Sequence, residues 1–585
     1  MGSDRRSRLT VTVNGSTTSG ARAALSAGVP IEVVLASVAA GSGGPAFIVD
    51  GAVVEPVALD QPVDLVGDDG LGRIYEGLLG SRNRRSLGAF YTPSEVAAGL
   101  VAQVVTRGTV VDPACGGGAF LLVAARRLFD LGVGSREEIV AERLFGADID
   151  PVAVAVCRWS LASWAGISSD EVSGVVVGNP LSDGATVWDG RPVDGFDAVV
   201  GNPPFLGQLR EGTARGAVER EVLKERFAGL VGAYTDTAWL FMALGLDLLA
   251  EGARMVLIQP QSVLAARDAA PVRSHLLDRG FLDALWFDRS GVFSGRAEVC
   301  APIVQRGSDN RSVRLLVDCD VDPAGEVEAP EAGAQWGGLV AGLMGIPGVE
   351  LAGSDSGAGR VCDIATTTAG FRQHYYGLVP AAREHRGASD SAARLVTTGL
   401  VDPLRCHWSQ RDARFARRVW TAPVVDTNLV SAQNPVVGAW VEALLRPKLL
   451  VATQTRVIEV VVDMAGDMVP VTPLVIIEPD EGDLWRLAAA LSAPPVSALA
   501  ASQTLGAARA SDRIKLSAGQ VGEMPLPVDN GAWSDGAALA RHLWELPGSG
   551  GPEAWLAFGS TMCAAYGVAE TPVLEWWWDR HPERV

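Results

Sequence analysis

The segment FDAVVGNPPFLG (196–207) carries the most distinctive chemistry in the chain, an apolar run that ends in Asn202-Pro203-Pro204-Phe205. Neither proline has an N–H to donate, and each locks its own φ. The Asn202 amide oxygen and the Pro203 carbonyl are thereby left side by side as acceptors, with the Phe205 ring next to them. Two acceptors beside an aromatic face suit a planar base that bears an exocyclic amine. A rigid strand exit with a core phenylalanine would use the same residue types, so the reading depends on the neighbouring segments.

Three of those segments share one form, an apolar run that ends in a polar residue. VVDPACGGGAFLLVAARRL (110–128) ends a strand at Asp112, turns through glycines and starts a helix near Ala119. Glycines permit close backbone approach, and a helix N-terminus favours an anion. The run is not GxGxxG, and no Lys-Ser/Thr follows, so a phosphate-binding P-loop is excluded. LFGADIDP (144–151) ends in Asp148 and Asp150. An acid past the second strand of a nucleotide-type fold can accept from both ribose hydroxyls. Asp150-Pro151 reads as a helix N-cap followed by a first-turn proline. VVVGNPLSDG (175–184) sets Asn179 at a third strand end. All of these fall at the carboxyl edge of one sheet, where open α/β folds bind ligands. Together they suggest an adenosine-containing cofactor. Ahead of them, GAFYTPSEV (88–96) begins a helix, with Thr92 as N-cap, Pro93 at the first helical position and Glu95 closing a capping box.

The elements that must position these groups alternate between short β-branched runs and longer amphipathic segments from about 86 to 306, the pattern of a parallel α/β sheet. Strands are expected at 109–111, 144–147, 174–177, 196–200 and 254–258, within a catalytic domain spanning 86–310. Residues 1–85 hold candidate strands at 9–13 and 46–54 but no readable motif. The stretch 320–336, rich in Gly, Pro, Asp and Glu, reads as a linker. Residues 338–527 mix strands and helices without the βα rhythm and form a second domain, followed by an acidic tail (528–585) that ends in Trp576, Trp577 and Trp578.

Composition bounds the function classes. The 585 residues carry 49 Lys+Arg against 68 Asp+Glu, a net charge of −19, and are 48% hydrophobic and 20% charged. That balance excludes a largely disordered chain. No apolar run approaches the ~18–20 residues of a membrane span, and MGSDRRSRLTVTVNGS lacks the apolar core of a secretory signal. Seven cysteines without a CxxC pair and six histidines without ligand spacing indicate reduced cytosolic thiols, with no disulfide framework and no metal. Only Lys224, Lys448 and Lys515 are lysines, so nearly all positive charge is arginine.

In combination these segments resemble the S-adenosylmethionine-dependent DNA amino-methyltransferases of the γ arrangement, in which the cofactor motifs precede the target-recognition domain. GAFYTP resembles the motif that opens the catalytic domain, DPACGGGAF the methionine-binding glycine loop, GADIDP the ribose-binding acidic motif and NPPF the catalytic tetrad. YTDTAWLFMALGLDLLAEGARMVLIQPQSVL (234–264) resembles the helix and strand that follow, and DRSGVFSGRAEV (288–299) the later motif that brings a second stacking aromatic, Phe293. A looser resemblance to target-recognition domains covers 360–527, through DIATTTAGF, RPKLLV and RIKLSAGQVGEMPLP.

The resemblance implies a Rossmann-like α/β methyltransferase with a mostly parallel sheet, joined to a mixed α+β recognition domain. It assigns Asn202, Pro203, Pro204, Phe205 and Phe293 to catalysis. For S-adenosylmethionine it assigns Tyr91, Thr92, Pro93, Asp112, Ala114, Cys115, Gly116, Gly118, Phe120, Asp148, Ile149, Asn179 and Pro180. One departure is Asn179, where family members often have Asp; its carbonyl can still accept from an adenine amine if its NH₂ points elsewhere. The implied reaction is direct methyl transfer to the exocyclic nitrogen of a flipped adenine, with no metal needed. The implied partners are double-stranded DNA and a separate restriction or defence subunit, in a bacterial, cytoplasmic, nucleoid-associated setting with no membrane contact.

An acidic chain binds DNA only where cations concentrate. Residues 360–456 supply such a region, with 13 Lys+Arg against 7 Asp+Glu. Arg405, Arg411, Arg414, Arg417 and Arg418 interleave with His407, Trp408, Phe415 and Trp420, and Arg446 and Lys448 form a second group. These are the expected phosphate and groove contacts. Methylation of protein glutamine or of RNA is the competing reading, and the large C-terminal domain argues against it. A nuclease fused at 1–85 is disfavoured, because that stretch has no lysine for an Asp…Glu-x-Lys cluster.

Overall fold

Val110, Val111, Leu144, Val175, Ala198, Val199 and Val200 are all buried, as strands covered on both faces require. The structure, a computed structural model, describes residues 19–26, 29–57, 65, 69–79, 92–205, 217–232, 234–289, 291, 298–307, 311–331, 333–351, 359–370, 372–387, 390–480, 483–507, 512–546 and 550–584. It divides into two units, 1–334 and 335–585.

In the first unit a small hairpin, β1 (Ile48–Val49) and β2 (Ala52–Val53), precedes the main sheet. The sheet comprises β3 (Val110–Asp112), β4 (Leu144–Asp148), β5 (Val175–Val177), β6 (Phe196–Gly201), β7 (Leu249–Leu257), β8 (Gln259–Pro260), β9 (Gly280–Phe287), β10 (Val299–Arg306), β11 (Ser312–Val317) and β12 (Asp322–Glu328). Its spatial order is β12-β11-β9-β10-β7-β6-β3-β4-β5, with β8 beside β10. The pairs β7/β6, β6/β3, β3/β4, β4/β5 and β9/β11 are parallel. This is the expected α/β methyltransferase-type sheet. The chain runs outward from β3 to β5 and then returns to lay β6 on the other side of β3. That reversal opens a crevice between the carboxyl ends of β3 and β6.

The helices that matter to the crevice are α1 (Ile31–Gly41), α2 (Gly70–Leu78), α3 (Ser94–Val104), α4 (Ala119–Asp130), α5 (Pro151–Ala165), α6 (Pro180–Asp183) and α7 (Thr237–Leu248). The Asp150 side chain caps α5 and Pro151 opens its first turn, as the sequence indicates. The first 85 residues are not a separate module. Val34, Leu35, Ile74 and Tyr75 from α1 and α2 share one core with Ala155, Val156 and Trp159 of α5. The Trp159 indole N–H also donates to the Pro45 carbonyl at 2.9 Å. The hairpin β1/β2 falls in the expected strand region 46–54, whereas 9–13 lies outside the described residues.

The expected linker at 320–336 contains β12, and the sheet continues past the expected boundary at 310. β12 is an edge strand of sequence DPAGEVE with mostly exposed side chains, so it carries no apolar alternation to reveal it.

The second unit is mixed α+β. One antiparallel sheet joins Ala365–Ala369, Val475–Pro479, Lys448–Ala452 and Glu459–Asp463. A mixed sheet joins Ala382–Glu384, Pro423–Val425, Ala393–Val396 and Met468–Pro470, the last pair parallel. The segment read as a tail is instead three helices, Asn530–Glu545, Gly551–Ala565 and Glu570–Arg580. Trp555, Phe558 and Met562 recur at helical spacing and are buried together with Trp577. Among the described residues, no single helix is long and apolar enough to cross a membrane.

Candidate active site

The glycine turn after β3 is held from two sides. Asp112 is 2% exposed, and its Oδ1 accepts from the Ala114 N–H at 3.0 Å. Cys115 N–H donates to the Ala147 carbonyl at 2.9 Å, pinning the turn to β4. Asp148 closes the arrangement: its Oδ2 accepts from Gly116 N–H at 3.0 Å and its Oδ1 from Asp150 N–H at 2.9 Å. Gly118, which precedes α4, has φ +89°, and a Cβ there would lie 2.7 Å from Cys157 Sγ. Only glycine fits that position.

The crevice receives β6 from the opposite side. A Cβ on Gly201 would stand 2.6 Å from Asp112 Oδ1, so the two strand ends touch with nothing between them. Asn202 follows immediately, and its Nδ2 donates to Thr92 Oγ1 at 3.1 Å. That bond fixes the amide plane and turns the Oδ1 end away from Thr92. It also corrects the reading of Thr92 as a helix cap: α3 begins at Ser94 behind Pro93, with no side-chain cap. The Thr92 side chain, 4% exposed, orients Asn202 instead. Asn179, at the start of α6, donates its Nδ2 to Ser182 Oγ at 3.1 Å, which leaves its carbonyl oxygen as the atom it can offer a ligand.

These groups surround a cavity of about 180 Å³. Of the residues singled out in the sequence, Thr92, Asp112, Ala114, Cys115, Gly116, Phe120, Asp148, Ile149, Asn179, Pro180, Asn202 and Pro204 line it. Pro93, Gly118, Pro203 and Phe205 stand outside its walls, with Phe205 half-buried against the core of the sheet. Tyr91 and Phe293 lie outside the described residues. The sequence reading missed Tyr75, Glu76 and Leu79 at α2, and Phe241 of α7. The positions of Gly72, Tyr75 and Glu76 at helical spacing were the available signal, since they set two polar side chains and a glycine on one face.

The cavity is strongly acidic. Glu76, Asp112, Asp148 and Asp150 line it, and no Lys, Arg or His does so among the described residues. Burial pushes the Asp112 carboxyl up to about 8, the Ala114 N–H opposes that shift, and the charge of Asp148 adds to it. Asp148 is raised as well, by burial first, against the pull of its backbone donors. Such a pocket is complementary to a cation. Ile149, 65% exposed, adds an apolar surface suited to a flat ring.

Residues 66–320 match the N-6 DNA Methylase family. The Type I restriction enzyme EcoEI methylase subunit of Escherichia coli is 26% identical over 199 residues, 33% of this chain and 37% of that protein. The Type II methyltransferase M.VspI of Vibrio sp. is 32% identical over 110 residues, 18% of this chain and 24% of its own length. The chain thus spans well under half the length of these curated relatives. Among solved structures, the Type IIL restriction-modification enzyme MmeI in complex with DNA is similar in fold, with a TM-score of 0.54 at 13% identity over 87% of this chain and 80% of that one. The residues that line the acidic cavity all fall within the stretch that matches the N-6 DNA Methylase family.

Outside the matched residues, in the second unit, the expected cations divide sharply. Lys448 is fully buried and paired with Asp463, so it is a core residue and not a surface contact. Arg405 donates to the Leu543 and Leu546 carbonyls at 2.9 and 3.1 Å, closing the end of a helix. Arg411 makes a two-pronged pair with Asp402 (2.9 and 2.6 Å), and Arg446 pairs with Glu478. Arg414, Arg417 and Arg418 are different: exposed, and without a side-chain hydrogen bond or ion pair among the described residues. They sit on a hairpin of Ala413–Phe415 and Arg418–Trp420, whose two-residue turn has Ala416 and Arg417 at φ +52° and +62°. The turn matches strand twist, and Tyr375 Oη braces it by accepting from Ala416 N–H at 3.0 Å.

Proposed function

We propose that this protein is a site-specific DNA methyltransferase of the γ arrangement, which moves a methyl group from S-adenosylmethionine to the exocyclic amine of an adenine flipped out of duplex DNA. The observation that carries this reading is the placement of Asn202: at the sheet's reversal, oriented by Thr92, on the rim of an acidic cavity. The donor fits the residues present. Its net positive charge suits a cavity lined by Glu76, Asp112, Asp148 and Asp150. Its carboxylate suits the N-terminus of α4 and the glycine turn. Asp148 serves the ribose, Asn179 accepts from the donor's adenine amine, and Ile149 covers the ring.

S-Adenosylmethionine supplies an electrophilic methyl group when bound. The chain's own task is to make a poor nucleophile competent. Asn202 Oδ1 and the Pro203 carbonyl accept from the two N–H bonds of the target amine, drawing its lone pair out of the ring. The same acceptors are aimed where positive charge develops on nitrogen, which is the usual large electrostatic contribution to catalysis. Flipping the base costs a few kcal/mol, offset in part by stacking on Phe205 and on Phe293. In the second unit, Arg414, Arg417 and Arg418 are the best candidates for phosphate and groove contact. A separate restriction or defence subunit, in a bacterial cytoplasm and near the nucleoid, is the setting that fits this activity.

The test is direct. Purified protein, duplex DNA and methyl-labelled S-adenosylmethionine are combined, and the digested DNA is analysed for N6-methyladenine. Methylated adenine at one sequence context is expected, and Asn202→Ala should abolish it while donor binding survives. Near-normal turnover in that variant, or label on protein or RNA instead of DNA, would overturn the proposal.

A further inference from the structure

The N-terminal helix α2 meets the cavity in three places. Gly72 packs backbone to backbone on the glycine turn: a Cβ on Gly72 would lie 3.3 Å from the Gly117 carbonyl oxygen, and one on Gly117 would lie 3.1 Å from the Gly72 Cα. The Tyr75 hydroxyl, on the same helix face, donates to Asp150 Oδ2 at the far side of the turn. Glu76, one helical turn beyond Gly72, forms part of the cavity wall. The apolar side of α2 is anchored independently, with Leu71, Ile74 and Leu78 buried in the core shared with α5. The helix is therefore positioned by core packing and presents its polar face to the cavity.

Three carboxylates of the wall accept from backbone amides. Asp112 takes Ala114, Asp148 takes Gly116 and Asp150, and Asp150 takes Val152. They build the scaffold of the turn and of α5. Glu76 comes from outside the sheet's own connections and stands beside the turn that holds the donor's amino-acid end. That end carries a fixed ammonium as well as a carboxylate. The carboxylate suits the start of α4, and the ammonium requires an acceptor of opposite charge close by.

We propose that Glu76 binds the ammonium group at the amino-acid end of the methyl donor, and that Tyr75 is a positioning residue that holds α2 in register through Asp150. The inference rests on the reading of the cavity as an S-adenosylmethionine site. It gives the first 85 residues a role in donor recognition.

The test uses the full-length protein and calorimetric titration with three probes. S-Adenosylmethionine has the ammonium and the sulfonium, S-adenosylhomocysteine has the ammonium alone, and 5′-methylthioadenosine has neither. Glu76→Gln should weaken the first two by about tenfold or more, by the same factor, as loss of a charge-assisted hydrogen bond implies. Binding of 5′-methylthioadenosine should be unchanged. Glu76→Asp, which retains the charge with shorter reach, should fall between and guards against a folding defect. Tyr75→Phe should weaken the same two probes, and in the Glu76→Gln background should add little, since both act on one interaction. Affinity of Glu76→Gln for S-adenosylmethionine and S-adenosylhomocysteine unchanged from the parent would overturn the inference. So would a parallel loss of 5′-methylthioadenosine, which would mean a change in cavity shape, or a loss for S-adenosylmethionine alone, which would move the contact to the sulfonium. If the unmodified protein binds none of the probes, the donor reading falls and Glu76 with it; if it binds them, only the assignment of Glu76 is at stake.

Discussion

Replacing Asp112 by Asn should stabilise the ligand-free protein, and increasingly so as the pH rises. Asp112 is buried between the glycine turn and Gly201, and burial raises its carboxyl to about 8 from an ordinary value of 3.8. Between those values the folded state holds a proton that the unfolded state has released. Stability therefore falls as pH increases through this window, by up to about 1.4 kcal/mol per unit for one group. Over pH 5.5 to 8 this amounts to about 2–3 kcal/mol after allowance for relaxation around the site. The amide of Asp112→Asn would mimic the protonated acid at every pH, and its carbonyl oxygen can still accept from Ala114 as the carboxylate does. The assay is the melting temperature of variant and parent in matched buffers from pH 5.5 to 9, without ligand. The difference should already be present at pH 5.5, because the window opens near 3.8, widen by several degrees by pH 8 and level off above. Asp148 and Glu459, which burial also raises, contribute to the parent's slope but cancel in the difference. A difference that stays flat across the range would refute the argument, because Asp112 would then be ionised in the folded protein. The same linkage makes S-adenosylmethionine bind the parent more tightly as pH rises towards 8, because a cation favours the ionised carboxylate, and the Asp112→Asn variant should lack that dependence.

Four further outcomes follow from particular contacts. Asp148→Ala removes the acceptor for the Gly116 and Asp150 amides and should weaken donor binding by about 1–3 kcal/mol, read by calorimetry; unchanged affinity would count against its role. Replacing Arg414, Arg417 and Arg418 together with Ala should flatten the dependence of log K for DNA on log salt by about 0.9 per lost phosphate contact, whereas Lys448→Ala should act on folding, since its ammonium is buried against Asp463. Trp577→Ala should cost the second unit about 3–5 kcal/mol, because Trp577 is 1% exposed among Trp555, Phe558 and His581; an unchanged melting profile would return the C-terminal helices to the status of a tail.

What could be read in advance follows from how local each cause is. The strand ends bearing Asp112, Asp148, Asn179 and Asn202 were legible because an apolar run, a polar terminator and a glycine or proline turn are adjacent in sequence. Parallel connection rules then carry those ends to one edge. The α2 wall was not legible in that way. Glu76 lies far from Asp148 along the chain, and its meaning comes from a contact between two glycines that no periodicity announces. Thr92 shows the same limit in a different form. A Thr before a proline and three positions from a Glu satisfies the local pattern of a capping box, and a tertiary partner, Asn202, takes the hydroxyl instead. The arginines make the point on charge. Composition locates the cationic stretch, but which cations are available depends on which acids fold beside them. Asp463 takes Lys448 into the core, Asp402 and Glu478 pair with Arg411 and Arg446 at the surface, and the hairpin turn at Ala416-Arg417 leaves Arg414, Arg417 and Arg418 outward. Of the seven cations named from the sequence, the three without a side-chain hydrogen bond or ion pair among the described residues thus share one short ribbon, and a ribbon held by backbone geometry presents its charges in a fixed spacing that a flexible basic stretch could not.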